Sequence, residues 1–321
     1  MQINLCQLKP HQLKLHQLGR PRLNRPKQTF SVSLLGIERA SSILVNSPSS
    51  MKIFFQRYFD LDRLRQILVF VAVIGGIAVN TISNNLFPLN GVPLGELSNI
   101  FFTSVQIIPA DYAFAIWGII YMGLIAFAIY QFQPSQRQNP SLQSSGYLFI
   151  LASLAQCAWI YLFLARLFPL STIAMLGILL PLIGVYQNLG IGQQQVSPSE
   201  RWFIQIPISI YLSWITVATV VNISLSLYSL NWDGWGITPP AWAALMMLVC
   251  SVIAIFVTSQ RHDIAFSLVV VWALIAIVIR QIDTPLIVVT GVTMAIALIL
   301  ISAISAFRSK LPLTKEITKE I

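Results

Sequence analysis

The chain has 321 residues, of which 56% are hydrophobic and only 10% are charged, and its formal net charge is +9. Soluble domains carry about 25% charged residues, so this composition excludes an ordinary water-soluble protein, and the high apolar content excludes a disordered one. Three cysteines are too few for a disulfide-rich secreted scaffold.

The first 50 residues are basic and contain no apolar run long enough to span a bilayer. Seven Lys or Arg side chains against one acid give this segment +6 of the net charge. Three interpretations stay open: an upstream extension before a true start at Met51, an organellar targeting segment, or a cytoplasmic tail drawn to anionic lipid. In each case 1–50 is a basic disordered extension or targeting segment outside the fold.

Eight apolar stretches follow, each close to the length that a helix needs to cross a bilayer. They cover roughly 66–84, 112–132, 146–166, 169–187, 203–228, 239–258, 264–280 and 284–307. They are too long for barrel strands and do not alternate in polarity. We therefore predict an all-α fold, a polytopic integral membrane helix bundle with about eight transmembrane helices. The seventh stretch is short and close to the sixth, which permits either a tight helical hairpin or a buried re-entrant pair.

Lys and Arg residues between the stretches are unevenly divided. With eight spans, one side holds eleven of them and the other holds only Arg166 and Arg280. The basic side is normally cytoplasmic, so we expect both termini in the cytoplasm, with 308–321 as a basic tail. The positive charge thus reports orientation, and we expect no nucleic-acid partner. No acid lies deep inside a span, which argues against an ion-coupled pump or transporter.

The loop 85–111, on the side opposite the termini, is long for a compact bundle and contains no Lys or Arg. Loops of this length commonly act as lids. It turns amphipathic before Pro109. We predict that it covers whatever the helices enclose.

Polar and aromatic side chains recur at helical spacing on three spans, and each set falls within an arc of about 60° to 80°. The stripe on the fifth span consists of Pro207, Tyr211, Trp214, Ala218 and Asn222. The stripes on the second and third spans consist of Phe114, Trp117 and Tyr121, and of Gln156, Trp159 and Phe163. An amide that faced lipid would be unsatisfied, so these stripes should face inward. They indicate either close helix packing or an apolar pocket with a few polar contacts.

The eight tryptophans divide into two groups by depth. Those near the predicted span ends are typical of an aromatic belt: Trp202, Trp232, Trp235 and Trp242. The deeper ones need an indole hydrogen-bond partner and suit a flat ligand: Trp117, Trp159, Trp214 and Trp272.

The run from Tyr211 to Asn222 resembles the last helix of the TspO/MBR family, the tryptophan-rich sensory or translocator proteins, which reads P-Y-L-x-W-x-x-F-A-x-x-L-N. The Trp, Ala and Asn spacings agree, although the proline lies four residues before the tyrosine. The segment that begins at Pro109 is similar to the family's P-P-x-W-x-F-x-P-V-W-x-x-L-Y, with Tyr112 in place of the first tryptophan and a Phe-to-Trp spacing one residue shorter.

The resemblance covers about 66–231 and implies a TspO-like five-helix bundle over 51–231 followed by three additional transmembrane helices over 232–307. Members of that family bind tetrapyrroles such as porphyrin and haem, and in animals cholesterol, in a pocket beneath the loop that joins the first two helices. The family motif and the inward stripes together give the candidate ligand-binding residues Tyr112, Phe114, Trp117, Tyr121, Trp159, Tyr211, Trp214, Ala218 and Asn222.

We therefore expect a binding or sensor protein for a hydrophobic planar molecule, with a tetrapyrrole as the expected class, that stacks on Trp117 and Trp214 and accepts a hydrogen bond from Asn222 or Tyr121. We expect that no cofactor is required and that porphyrin or haem is a ligand. No metal site or catalytic residue is predicted. The expected partners are the lipid bilayer and a hydrophobic small molecule, and the resemblance leaves a homodimer open. The alternatives are an uncoupled transporter of a lipophilic solute, a porphyrin-degrading enzyme and a structural subunit. An organelle membrane follows only if 1–50 is a transit segment.

Overall fold

The computed structural model describes residues 61–83, 92 and 94–308, and the described residues form helices joined by short turns, with no strand among them. This confirms the all-α prediction. The predictions for 1–50, for a start at Met51 and for the tail after 308 concern residues outside these ranges.

The helices follow one another closely along the chain. They are α1 (Leu61–Thr81), α2 (Leu94–Phe101), α3 (Ile116–Gln131), α4 (Pro140–Leu164), α5 (Phe168–Asn188), α6 (Ile206–Ser229), α7 (Pro239–Arg261), α8 (Ile264–Arg280) and α9 (Pro285–Arg308). A 3₁₀ turn (Asp111–Ala115) precedes α3, and a π turn (Arg201–Gln205) precedes α6. All eight predicted stretches are therefore helical. Within the described residues, seven helical segments are long and apolar enough to cross a membrane.

The seventh predicted stretch, 264–280, is not among those seven segments and forms the shorter helix α8, which has 17 residues. At 1.5 Å per residue it is about 25 Å long, slightly less than the hydrocarbon core of a bilayer. It is joined to α7 by a tight turn in which His262 adopts the left-handed conformation. The side chain of Asp263 then caps α8 by accepting a hydrogen bond from the backbone N–H of Phe266 at 3.1 Å. In the structure α7 and α8 thus form a tight helical hairpin.

Proline residues fix where several of the long helices begin. Pro140, Pro239 and Pro285 occupy the first positions of α4, α7 and α9. Proline suits the first turn because its missing N–H would have no intrahelical partner there and its φ is already helical. At α4 the Asn139 side chain also accepts a hydrogen bond from the N–H of Ser141 at 3.1 Å.

The helix α6 lies at the centre of the bundle. In its segment 78% of the central stretch is buried, compared with 28% to 39% in the other long helices. It contacts α3, α5, α7 and α8. The outer helices instead expose large apolar side chains, such as Met122, Leu154 and Val252, of which 62% to 66% is exposed. An apolar exterior of this extent fits lipid as the surrounding solvent.

The end of the bundle where α1 begins is held by buried polar side chains. Arg65, only 1% exposed, donates to the carbonyl oxygens of Leu142 at 2.7 Å and Arg137 at 3.1 Å. Gln66 and Gln131 donate their side-chain amides to each other's backbone carbonyls. These bonds connect α1 to α3 and α4. We call this the far end, and the end covered by α2 the lid end.

Candidate functional site

A cavity of about 370 Å³ lies toward the lid end of the bundle. Its volume falls within the range of small-molecule sites. Its walls are mainly apolar, and no charged residue is among the described residues that line it. Five aromatic rings contribute to the lining: Phe114, Trp117, Trp159, Phe163 and Trp214. The cavity is therefore an apolar, ring-lined space between α1, α3, α4, α5 and α6.

Six of the nine candidate residues line this cavity. They are Phe114, Trp117, Trp159, Trp214, Ala218 and Asn222. The inward stripes of α3, α4 and α6 thus converge on one space.

Two further candidates, Tyr121 and Tyr211, lie behind the wall. The Tyr121 hydroxyl accepts a hydrogen bond from Asn80, and the Tyr211 hydroxyl donates one to Gln156. Asn80 and Gln156 themselves line the cavity. The two tyrosines therefore orient the amides of the wall and do not form part of it.

The ninth candidate, Tyr112, lies away from the cavity. Its ring packs edge-on against Trp272 of α8, with 5.2 Å between the ring centres, and 40% of the residue is exposed. The family motif placed Tyr112 in the pocket, but residues 111–115 form a 3₁₀ turn, and in this chain that position faces α8.

The cavity also includes residues that were not among the candidates. Asn80 of α1, Ser98 of α2, and Met175 and Ile178 of α5 line it. Met175 and Ile178 belong to an evenly apolar helix, so no pattern in the sequence distinguishes the face that they share. Asn80 was detectable in principle as an amide inside the first apolar stretch.

The wall between α4, α5 and α6 contains a polar network centred on Asn222. Its side-chain oxygen accepts the indole N–H of Trp159 at 2.9 Å. Its amide nitrogen donates to the hydroxyls of Thr172 at 2.7 Å and Ser171 at 3.1 Å. Asn222 is 2% exposed, so this network satisfies an amide that burial would otherwise penalise.

The Trp117 and Trp214 side chains differ from Trp159. Trp214 meets Phe114 edge-to-face at 6.0 Å between ring centres, and Trp117 lies 5.4 Å from Tyr121. Within the described part of the chain, no hydrogen bond engages the indole N–H of either one. Trp117 and Trp214 are therefore lining residues whose indole N–H groups no acceptor among the described residues engages.

Residues 94–111, which belong to the predicted covering loop 85–111, lie over the cavity. We call residues 94–111 the lid. Ser98, Ile108 and Pro109 line the cavity from this side. Phe102 is 2% exposed and packs edge-on against Phe168 at 4.8 Å. The described part of 85–111 is thus folded onto the helices as part of the core, and its role as a lid stays a prediction.

Comparison with protein families matches residues 66–304 to the family described as TSPO-like protein. The chain belongs to the TSPO-like family. The match extends beyond residue 231, where the motif resemblance ends, and includes α7, α8 and almost all of α9. No curated protein and no solved structure matches the chain. Membership of the TSPO-like family, together with helices apolar enough to span a bilayer, fits a multi-pass membrane protein and broadly indicates a sensor or binding role.

Proposed function

We propose that this TSPO-like protein binds a flat, hydrophobic small molecule in the ring-lined cavity, and that a tetrapyrrole is the ligand class to test first. The observation that carries the proposal is the convergence of Trp117, Trp159 and Trp214 on one uncharged space of about 370 Å³. Flat aromatic walls favour a flat partner because rings gain most contact by stacking or by meeting edge-to-face.

The polar groups of the cavity specify what such a ligand must offer. The amide of Asn222 is occupied by Trp159, Ser171 and Thr172, and the Tyr121 hydroxyl is engaged by Asn80. We therefore propose that the ligand accepts hydrogen bonds from the indole N–H groups of Trp117 and Trp214, and not from Asn222 or Tyr121. The ligand should present an acceptor, such as a carbonyl or ring nitrogen.

The absence of charge among the described lining residues also limits how a tetrapyrrole would bind. A carboxylate buried there would have no counter-charge, which is strongly unfavourable in an apolar site. We propose that the macrocycle occupies the cavity while any carboxylates stay outside it. Ala218, also part of the wall, would leave room for the ring.

We propose further that both termini face the cytoplasm, with the lid on the opposite side. Eleven Lys or Arg residues would then lie on the cytoplasmic side, with Arg166 and Arg280 on the other. Under this arrangement the ligand reaches the cavity from the non-cytoplasmic side or from the outer part of the bilayer.

The proposal is tested by quenching of tryptophan fluorescence in detergent with protoporphyrin. The wild-type protein should show saturable quenching, and Trp117→Ala and Trp214→Ala should each weaken the apparent affinity. Trp235→Ala is the matched control, because Trp235 is 81% exposed in the α6–α7 loop. Quenching that does not saturate, or that responds equally to all three variants, would overturn the proposal.

A further inference from the structure

The end of α8 is bonded to the lid through one arginine. The Arg280 guanidinium donates to the side-chain oxygen of Asn99 at 2.6 Å and to the backbone carbonyl of Pro109 at 3.3 Å. It also lies 3.4 Å from a carboxylate oxygen of Asp111. Asn99 in turn donates to Asp111 at 3.1 Å. One side chain thus joins the helix of the lid to the loop that follows it.

Backbone and indole contacts extend the same junction. The N–H of Ala110 donates to the carbonyl oxygen of Ala276 at 3.1 Å. The indole of Trp272 donates to the carbonyl oxygen of Ala113 at 3.1 Å. These contacts lie close to the cavity along the chain, because the neighbouring residues Ile108 and Pro109 form part of its lining. The position of α8 therefore fixes one boundary of the cavity.

We infer that Arg280 is a positioning residue that latches the lid over the cavity, so that the α7–α8 hairpin controls how fast a ligand enters and leaves. The latch itself rests on contacts within the protein, whereas its effect on a ligand rests on the function proposed above. Arg280 does not line the cavity, so it acts through Asn99 and Pro109 and not by touching a ligand.

The chemistry of the guanidinium explains why arginine suits this position. Its planar fork of five donors reaches several acceptors at once, whereas a lysine ammonium is a compact point charge. The bond to Asn99 and the bond to the Pro109 carbonyl are the strong elements. The contact with Asp111 contributes little, because 71% of that carboxylate side chain is exposed and its charge is screened by water.

Loss of the latch should raise the population of the open lid without changing the walls of the cavity. Loss of the two hydrogen bonds to Asn99 and Pro109 should increase opening by about tenfold. The same increase applies with and without ligand, because Arg280 contacts only the lid. Association and dissociation should therefore accelerate together, and the equilibrium dissociation constant should stay nearly the same.

The ligand-independent test is amide hydrogen exchange of the full-length protein in detergent. In Arg280→Gln, exchange across 94–111 should be about tenfold faster than in wild type. Arg261→Gln is the matched control, because Arg261 lies at the far end, where it donates to the carbonyl of Ile191 at 3.3 Å. Asn99→Ala removes the acceptor on the lid side and should reproduce the effect if Arg280→Gln folds poorly. Unchanged exchange of 94–111 in both lid-end variants would overturn the latch.

The kinetic test uses protoporphyrin and stopped-flow fluorescence. In Arg280→Gln, both rate constants should rise by about tenfold while Kd changes by less than about threefold, and Arg280→Lys should restore the wild-type rates only in part. A change in Kd with unchanged rates of association would overturn the assignment of Arg280 as a positioning residue. If exchange accelerates but protoporphyrin binds to neither protein, the latch stands and the proposed ligand class fails.

Discussion

Trp159 donates its indole N–H to the side-chain oxygen of Asn222 at 2.9 Å, which joins α4 to α6 along the wall of the cavity. The same asparagine binds the hydroxyls of Ser171 and Thr172 on α5. A single amide therefore fixes three helices relative to one another at the depth where the cavity lies.

Substitution of Asn222 by alanine should lower the free energy of unfolding by about 1 to 3 kcal/mol, because the indole N–H of Trp159 loses its acceptor and the hydroxyls of Ser171 and Thr172 lose their donor. The thermal unfolding midpoint in detergent measures the loss. A double-mutant cycle with Trp159→Phe should give a coupling energy of about 0.6 to 1.7 kcal/mol. Strict additivity of the two substitutions would show that this hydrogen bond does not stabilise the fold.

Gly146 of α4 has no side chain, and the aliphatic stem of Arg65 packs in the space where a Cβ would lie. A Cβ atom at this position would lie 2.8 Å from two carbons of that stem, and the guanidinium is held by the carbonyls of Leu142 and Arg137. Gly146→Ala should therefore destabilise the protein by about 1 to 3 kcal/mol. The thermal midpoint in detergent measures this.

Gly118 of α3 is the matched control, because a Cβ there would meet no atom of the described residues within 4 Å. Gly118→Ala should stabilise its helix by about 0.5 to 1 kcal/mol. Equal effects at the two glycines would mean that Arg65 moves aside freely.

Gly192, in the loop between α5 and α6, has φ of 77°, and a Cβ there would lie 1.7 Å from the backbone oxygen of Arg261. Gly234 has a similar φ of 71°, but a Cβ there would meet nothing within 4 Å in the part of the chain that the structure describes. Gly234→Ala should therefore lose only about 1 to 2 kcal/mol through the left-handed conformation. Gly192→Ala should lose more, because a backbone oxygen must also move. A smaller loss at Gly192 than at Gly234 in thermal unfolding would contradict the close contact with α7.

Much of the helix pattern could be predicted from the sequence because each signal is local. Apolar runs locate the helices, and prolines such as Pro140 and Pro239 mark their first turns. The inward faces of α3, α4 and α6 were predictable as well, because an amide such as Asn222 cannot face lipid. These local signals identified six residues that line the cavity.

The rest depends on contacts between distant parts of the chain. Tyr112 was assigned by its place in a family motif, but a 3₁₀ turn directs it to Trp272. The bond between Arg280 and Asn99 joins residues 181 positions apart, and neither residue stands in a pattern that predicts the other. Met175 and Ile178 belong to an evenly apolar helix, so only the packed structure identifies them as part of the wall.

Replacing Trp214 with phenylalanine separates the ring from its N–H group. The smaller ring keeps an aromatic surface beside Phe114 but loses the free donor. Trp214→Phe should therefore weaken binding of a porphyrin in a titration by about five- to tenfold, the effect of one hydrogen bond of about 1 kcal/mol, and Trp214→Ala should weaken it further. Identical affinities for Trp214→Phe and wild type would show that the indole N–H takes no part in recognition.

The most direct measurement of the central claim is a protoporphyrin titration of a protein whose cavity has been filled. Ala218 lines the cavity, so the bulky ring in Ala218→Trp should occupy the space intended for the ligand. Ala303→Trp is the matched control, because Ala303 lies on the exposed face of α9. The account predicts that saturable binding disappears in Ala218→Trp and persists in Ala303→Trp, provided that both variants unfold at temperatures near that of the wild type. Saturable binding of equal affinity in both variants would contradict it.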